Sequence, residues 1–346
     1  MSTQPAAVPR KAPIYLYAIV PARQGIDEAI GAGSVSDRLR TIAPGPFAAV
    51  VGDGPNVEGR SREELVLRLL SHQKTIERIM QAAPLLPVKF GTFAPDEACV
   101  HAMLARGGAA FQAAFERLAG CVQVEIVVKW DVETVFAEIA KEEAIAGLKK
   151  KWELHVGPSD EALRVVLGGL VKQSLERRRA ALAAALFATL RMAAVDAIAC
   201  PVTADQVALH AVLLMKAEEM ASLDGRLEEL DAAYGGRLAF RCVGPLAPYS
   251  FATVEIEIVE TAALKQAMYL LDVGPAANAA EVRAAYHRAV KSVHPDAAGT
   301  GDSAGMAALT EAYRILSLQA EAAGDPSDRS VFVSLQRQEI AFDAAA

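Results

Sequence analysis

His294-Pro295-Asp296 sits between two segments that both read as amphipathic helices, and its flanks point to the chemistry of recognition. Upstream, Val282, Ala285, Ala289, Val290 and Val293 recur at three- and four-residue spacing, which puts them on one helix face. Arg283, His287 and Lys291 step by four on the other side, with Arg288 beside them. Positive charge therefore lines the side that solvent or a partner sees. Asn278 is a good N-cap, and Glu281 stands three residues on, in capping-box spacing. Pro295 stops the helix. Beyond the stretch Gly299 to Gly305, Met306, Leu309, Tyr313 and Leu316 make a second apolar stripe, and two such helices pack antiparallel.

Bond-making chemistry has no comparable support. The chain carries no nucleophile elbow, Walker loop or zinc motif, and Gly31-Ala32-Gly33 lacks both a preceding strand and a third glycine. Cys99, Cys121, Cys200 and Cys242 are scattered, with no pair at metal-ligand spacing, so reduced thiols are expected. No enzyme, no cofactor and no metal site is expected. His72 falls in a helical stripe with no second metal-type residue one turn away, which favours a half-buried structural histidine over a ligand.

The elements that must position the basic helix occupy a long chain. Its 346 residues are 53% hydrophobic and 22% charged, a globular balance with room for two or three cores. A net charge of −7 argues against nucleic acid as the main partner. Lys149-Lys150-Lys151 and Arg177-Arg178-Arg179 border helical patterns and read as solvated faces. The start carries no basic-then-apolar signal peptide. The most apolar stretch, Ala180 to Leu190, is bracketed by arginines and too short to span a bilayer, so a cytoplasmic protein is expected, with no lipid membrane as partner.

Ile14 to Val20 and Phe47 to Val51 read as strands. A helix with Ser61 and Glu64 at its start follows, with a stripe of Leu65, Leu69, His72, Ile76 and Ile79. Pro84 to Thr92 is extended, and two helical stretches lead to the alternating strand ending at Trp130. Asp131 to Lys150 is helical. From Trp152 the order reads strand (to Val156), helix (Asp160 to Met192), strand (Asp196 to Val202), strand (Val207 to Met215), helix (Ala217 to Tyr234), strand (Arg237 to Val243). That is the β-α-β-β-α-β order of a ferredoxin-like unit. Val254 to Val259 gives a further strand or a linker.

The C-terminal region, from Met268-Tyr269-Leu270-Leu271-Asp272-Val273 through the tripeptide to Glu311-Ala312-Tyr313-Arg314-Ile315-Leu316, resembles the J-domain of DnaJ-type co-chaperones. The resemblance implies that His294, Pro295 and Asp296 stimulate ATP hydrolysis by a DnaK-type chaperone. Arg283, His287, Arg288 and Lys291 would then supply the docking charge. Ala297 and Ala298 follow the tripeptide where that family is usually basic. The alternative is a surface helical hairpin with an incidental turn.

Tyr15-Leu16-Tyr17-Ala18-Ile19-Val20, Leu86-Pro87-Val88-Lys89-Phe90-Gly91-Thr92 and Gly244-Pro245-Leu246-Ala247-Pro248-Tyr249-Ser250-Phe251 resemble, in order and spacing, the gas-vesicle accessory protein F/L family. Lys89 stands where that family usually has Arg, and Leu246-Ala247 where Trp-Pro is usual. The resemblance implies an α+β fold: two α+β domains, the second ferredoxin-like, with the small all-α hairpin following them. The expected organisation is a disordered start (1–12), domains over 13–130 and 131–258, a J-like module over 262–322 and a flexible tail over 323–346. The implied function is gas vesicle assembly, with the small hydrophobic shell protein, other accessory proteins and a DnaK-type chaperone as partners. Pro248, Tyr249 and Phe251 are candidates for the shell-protein interface, against core packing as the alternative. A minor structural component of the vesicle, with an inactive hairpin, is the competing function.

Overall fold

The computed structural model describes residues 13–31, 39–52, 61–154, 160–293, 303–321 and 329–338. They form two compact units, one built from residues 1–117 and 253–336, the other from 118–252 and 337–346.

In the first unit, β1 (Ile14–Pro21) is central to an antiparallel sheet of order β2 (Arg40–Ile42), β3 (Phe47–Gly52), β1, β4 (Leu86–Pro87), with β5 (Phe93–Ala94) also on β1. Tyr15 to Val20 are all buried, which is why β1 is a continuous apolar run rather than an alternating one. Beyond the short α1 (Ile26–Gly31), α2 (Arg62–Ala82) opens on the predicted cap, Ser61 Oγ accepting from Glu64 N at 3.3 Å. Its stripe is buried only in its second half. His72, Ile76 and Ile79 are covered, while Leu65 and Leu69 are 43% and 47% exposed. A 21-residue helix runs about 32 Å, whereas the eight-residue β1 that it contacts spans about 27 Å, so helix and sheet are not matched in length.

The two helical stretches expected before the next strand are one helix, α3 (Glu97–Leu118). It continues through Gly107-Gly108 because the buried Phe111 ring, one turn on, lies over Gly107. A Cβ there would sit 2.3 Å from Phe111 Cζ.

The second unit is a four-stranded antiparallel sheet of order β7 (Asp196–Cys200), β8 (Val207–Lys216), β6 (Cys121–Trp130), β9 (Leu238–Leu246). Helices α4 (Val132–Ile139), α5 (Glu143–Leu154) and α6 (Asp160–Met192) lie between β6 and β7 in sequence. A 3-10 turn (Ala217–Ser222) and α7 (Leu223–Ala233) separate β8 from β9. This order and connectivity is the split β-α-β-β-α-β arrangement, but its first strand is β6, not Trp152 to Val156. Trp152 belongs to α5, whose Ala, Leu, Lys and Glu content favours helix over the short alternation at its end. The boundary expected at residue 130 therefore falls before β6, whose Val124, Ile126, Val128 and Trp130 pack on the α6 side of the sheet core.

The C-terminal region corrects two further expectations. Val254 to Val259 is the strand of the two alternatives, but it lies in the first unit, not the second: β10 (Thr253–Glu260) pairs antiparallel along its whole length with β11 (Arg329–Gln336). The segment expected as a flexible tail thus supplies a strand, opening on the apolar run Val331-Phe332-Val333, of which Val331 and Phe332 are buried. Between the two strands come α8 (Thr261–Leu271), α9 (Ala279–Val293) and α10 (Ser303–Glu321). Leu264, Leu271, Val282, Ala285, Leu309 and Ile315 form their shared core, to which β10 adds Val259 and β11 adds Phe332. The expected hairpin is in fact three helices on a two-stranded base. Within the first unit, that base is joined to the earlier segments by a parallel bridge between Val88 and Val254, by Lys89 N donating to Val254 O at 3.0 Å, and by Arg106 Nη1 donating to Val331 O at 2.8 Å.

Candidate functional site

The capping box of α9 forms as its sequence requires. Asn278 Oδ1 accepts from Ala280 N at 3.0 Å and Glu281 N at 3.1 Å, and Glu281 Oε2 accepts from Asn278 N at 2.9 Å. Val282 and Ala285 are buried toward α10. Gln319 Nε2 donates to Pro275 O, and further along Tyr286 stacks on Tyr313 with centroids 4.6 Å apart, so α9 and α10 run antiparallel. Arg283, His287, Arg288 and Lys291 are all exposed on the opposite side. His294, Pro295 and Asp296 lie outside the described residues.

Sequence reasoning missed how the charged members of the second helical phrase are used. Arg314 is a hub: it donates to both oxygens of Glu311 and pairs across to Glu257 on β10. Hydrogen bonds from Arg314 hold the Glu311 carboxyl below its usual range, and the two carboxylates raise the Arg314 guanidinium. The arginine run of α6 is likewise anchored rather than freely solvated. Arg178 bonds Glu138 at 2.8 Å and Glu142 at 2.9 Å, Arg177 also reaches Glu142, and Arg179 pairs with Asp205.

The second candidate set does not form a surface. Pro248 and Phe251 are buried, Phe251 to 1% exposure, and Tyr249 is half-buried. They belong to a tight turn after β9, in which Phe251 N and Ala252 N both donate to Pro248 O at 3.0 Å. Ser250 N donates to the buried Gln123 Oε1 at 2.8 Å, and Ser250 O accepts from Gln338 N at 2.8 Å. Phe251 therefore packs the interior, and the interface expected of it is withdrawn.

A buried polar pair lies beneath the phrase Leu86 to Thr92. Tyr15 Oη accepts from Gly91 N at 3.2 Å and lies 2.9 Å from His72 Nδ1, to which its proton is assigned from this network. Gly91 sits at φ 84°, which a side chain would strain. Burial pushes His72 down to about 4, against a smaller opposing pull from the Val88 backbone, and pushes Tyr15 up to about 12. Tyr17 stacks on the imidazole at 5.4 Å. His72 is more deeply buried than the half-burial expected, and among the described residues no group of three His, Cys, Asp or Glu is placed to hold a metal. Burial also raises the Cys200 thiol to about 11, which removes its nucleophilic character near neutral pH.

One surface had a signal in sequence that was assigned to the core. Leu65, Val66, Leu67, Leu69 and Leu70, five large apolar residues in the first turns of α2, are all exposed. Contiguous exposed apolar area of this kind marks interaction sites. Among the described residues no helix is long and apolar enough to cross a membrane.

The family model for gas vesicle synthesis protein GvpL/GvpF matches residues 13–253. Gas vesicle protein F of Dolichospermum flosaquae is 25% identical over 252 residues, covering 70% of this chain and 98% of that protein. Gas vesicle protein F of Streptomyces sp. (strain CB03234) is 24% identical over 222 residues, 64% of this chain and 90% of that one. The fold is shared with the crystal structures of GvpF from Anabaena sp. PCC7120 (TM-score 0.57, 22% identity) and Microcystis aeruginosa (TM-score 0.55, 19% identity). Each of these likenesses covers 69% of this chain and 98% of the other. The family match ends where β10 begins, so α8, α9, α10 and β11 lie beyond it.

Proposed function

Since the chain belongs to the gas vesicle synthesis protein GvpL/GvpF family, we propose that it is an assembly accessory that holds the apolar shell protein and brings a DnaK-type chaperone to it through α8–α10. A shell that excludes water needs subunits rich in apolar surface, and such surface aggregates before assembly. Joining a chaperone recruiter to a shell binder raises the chaperone concentration at the client. On this account the protein works in the cytoplasm at the growing vesicle, alongside other accessory proteins.

The observation that carries the proposal is the division of α9 into two faces. Val282 and Ala285 are spent on packing, while Arg283, His287, Arg288 and Lys291 are left on the outside. Because Phe251 is buried, the exposed leucines of α2 are the surface that suits an apolar client.

The test is the ATPase rate of a DnaK-type chaperone with wild type and His294→Gln, with and without shell protein, beside co-purification of shell protein with a Leu65→Gln, Leu69→Gln double variant. Stimulation lost only in the first variant and capture lost only in the second is the expected pattern. Absence of stimulation by wild type would reduce α8–α10 to a structural appendage and leave a minor vesicle component as the function.

A further inference from the structure

The most apolar stretch of the chain, Ala180 to Leu190, carries no charged residue and lies near the end of α6. Ala183, Leu186 and Leu190 are buried in the core of the second unit, whereas Ala181, Ala184, Ala185 and Ala188 are exposed. A helix segment that is apolar all round belongs in an interior. The fold of one chain covers only half of this one.

Strand β7 runs beside it, at one end of its sheet, and pairs with β8 alone among the described strands. Alternate N–H and C=O groups of such an edge face outward and form a template for another strand. Helix and strand bound a groove of about 730 Å³, lined by Ala184, Phe187, Ala188 and Met192 on one side and Ala197 and Ile198 on the other. Met192 projects from it at 91% exposure. Arg337 fixes the start of the strand, donating to both carboxylate oxygens of Asp196 at 2.9 and 3.1 Å.

The edge and the helix face fit a second copy together. Antiparallel pairing of the five-residue β7 with itself about Ile198 sets Ala197 against Ala199 of the second copy, and Asp196 against Cys200. Opposed residues of an antiparallel pair share a face, so both α6 helices fall on the same side of the joined sheet. The chain turns back between α6 and β7 at Ala193 and Ala194. From Met192 back to Ala184 is about 12 Å of helix, and β7 from end to end is about 13 Å. The two-fold axis therefore brings the projecting Met192 of each copy level with the small Ala184 of the other, and Ala188 level with its own equivalent. Such a surface is self-complementary. A foreign extended chain would satisfy the strand edge and leave the alanine face of α6 bare.

We propose that the protein self-associates about a two-fold axis at Ile198, joining β7 to β7 in one continuous sheet and laying the two α6 helices side by side. About a dozen residues per copy take part, against about 20–30 in a standard interface, so the dimer is weak and reversible, dissociating in the micromolar range. This inference does not rest on the chaperone or client reading.

Sedimentation velocity of the full chain across the micromolar range, with hydrogen–deuterium exchange on the same samples, tests it. The sedimentation coefficient of wild type rises with concentration, and peptides covering 196–200 exchange about tenfold more slowly at the top of the range than at the bottom. An Ala184→Glu, Ala188→Glu double variant, altered only at exposed positions and with a good helix former, stays monomeric with an unchanged melting temperature. A wild type that is monomeric at every concentration overturns the proposal, as does a dimer that persists in both that variant and Met192→Lys. Protection of β7 in a monomer, whether constant or appearing when shell protein is added, overturns it too, since the chain itself or the client would then be the occupant.

Discussion

Tyr15 Oη and His72 Nδ1 lie 2.9 Å apart inside the first unit, joining the central strand to α2 through an imidazole that is kept neutral. Because the folded state disfavours the protonated ring, the pair contributes its full stability above the unfolded value of 6.5. That contribution is lost as pH falls through the window from 6.5 toward about 4. The loss is on the order of 3 kcal/mol at the acid end. Urea midpoints at pH 7.5 and pH 4.5 for wild type and His72→Gln check this: the pH dependence shrinks in the variant, and identical slopes would rule the linkage out.

Gly107 and Gly108 are neighbours in α3 with opposite environments. Gly107→Ala drives a methyl into the buried Phe111 ring and costs about 1–3 kcal/mol. Gly108→Ala meets nothing within 4 Å and gains up to about 1 kcal/mol of helix propensity. Thermal melts of the two single variants should move in opposite directions.

Phe251→Ala should behave as a core deletion, destabilising by about 3–5 kcal/mol. Calorimetry decides the matter: a variant that melts like wild type yet loses a partner would return Phe251 to an interface.

Arg283→Glu with Arg288→Glu reverses two exposed charges of α9 without touching its packed face, so stability changes by less than about 0.5 kcal/mol per site. Chaperone stimulation disappears, and in wild type it weakens as salt is raised. Persistence of stimulation in the double variant would show that the basic face is not the contact.

Most individual strands and helices were legible in the sequence because local rules govern them: the cap at Ser61, the capping box at Asn278 and the alternation ending at Trp130 all form. What escaped was partnership between distant segments. β6 carries no mark that it pairs with β8 rather than β1, and β11 looks like a polar tail until β10 stands beside it, since only its Val331 and Phe332 are buried while Ser334 and Gln336 are exposed. The stripe of α2 illustrates the same gap. Periodicity identifies which side chains share a face, but not whether the sheet beneath is long enough to cover them all. The basic face of α9 was readable from spacing alone, whereas the role of Arg314 depended on Glu257, far away in sequence.

The pairing of Glu260 with Arg329 and of Thr253 with Gln336 also bears on the order in which the protein is made. Every described strand of the second unit has been translated by Leu246, so that sheet can close early on the nascent chain. The first unit cannot be completed then. Its edge at Val88 waits for Val254, and Arg106 waits for Val331, 225 residues downstream. A ribosome that stalls before β11 therefore leaves a chain whose first-made segments still lack the distant strands that complete their unit.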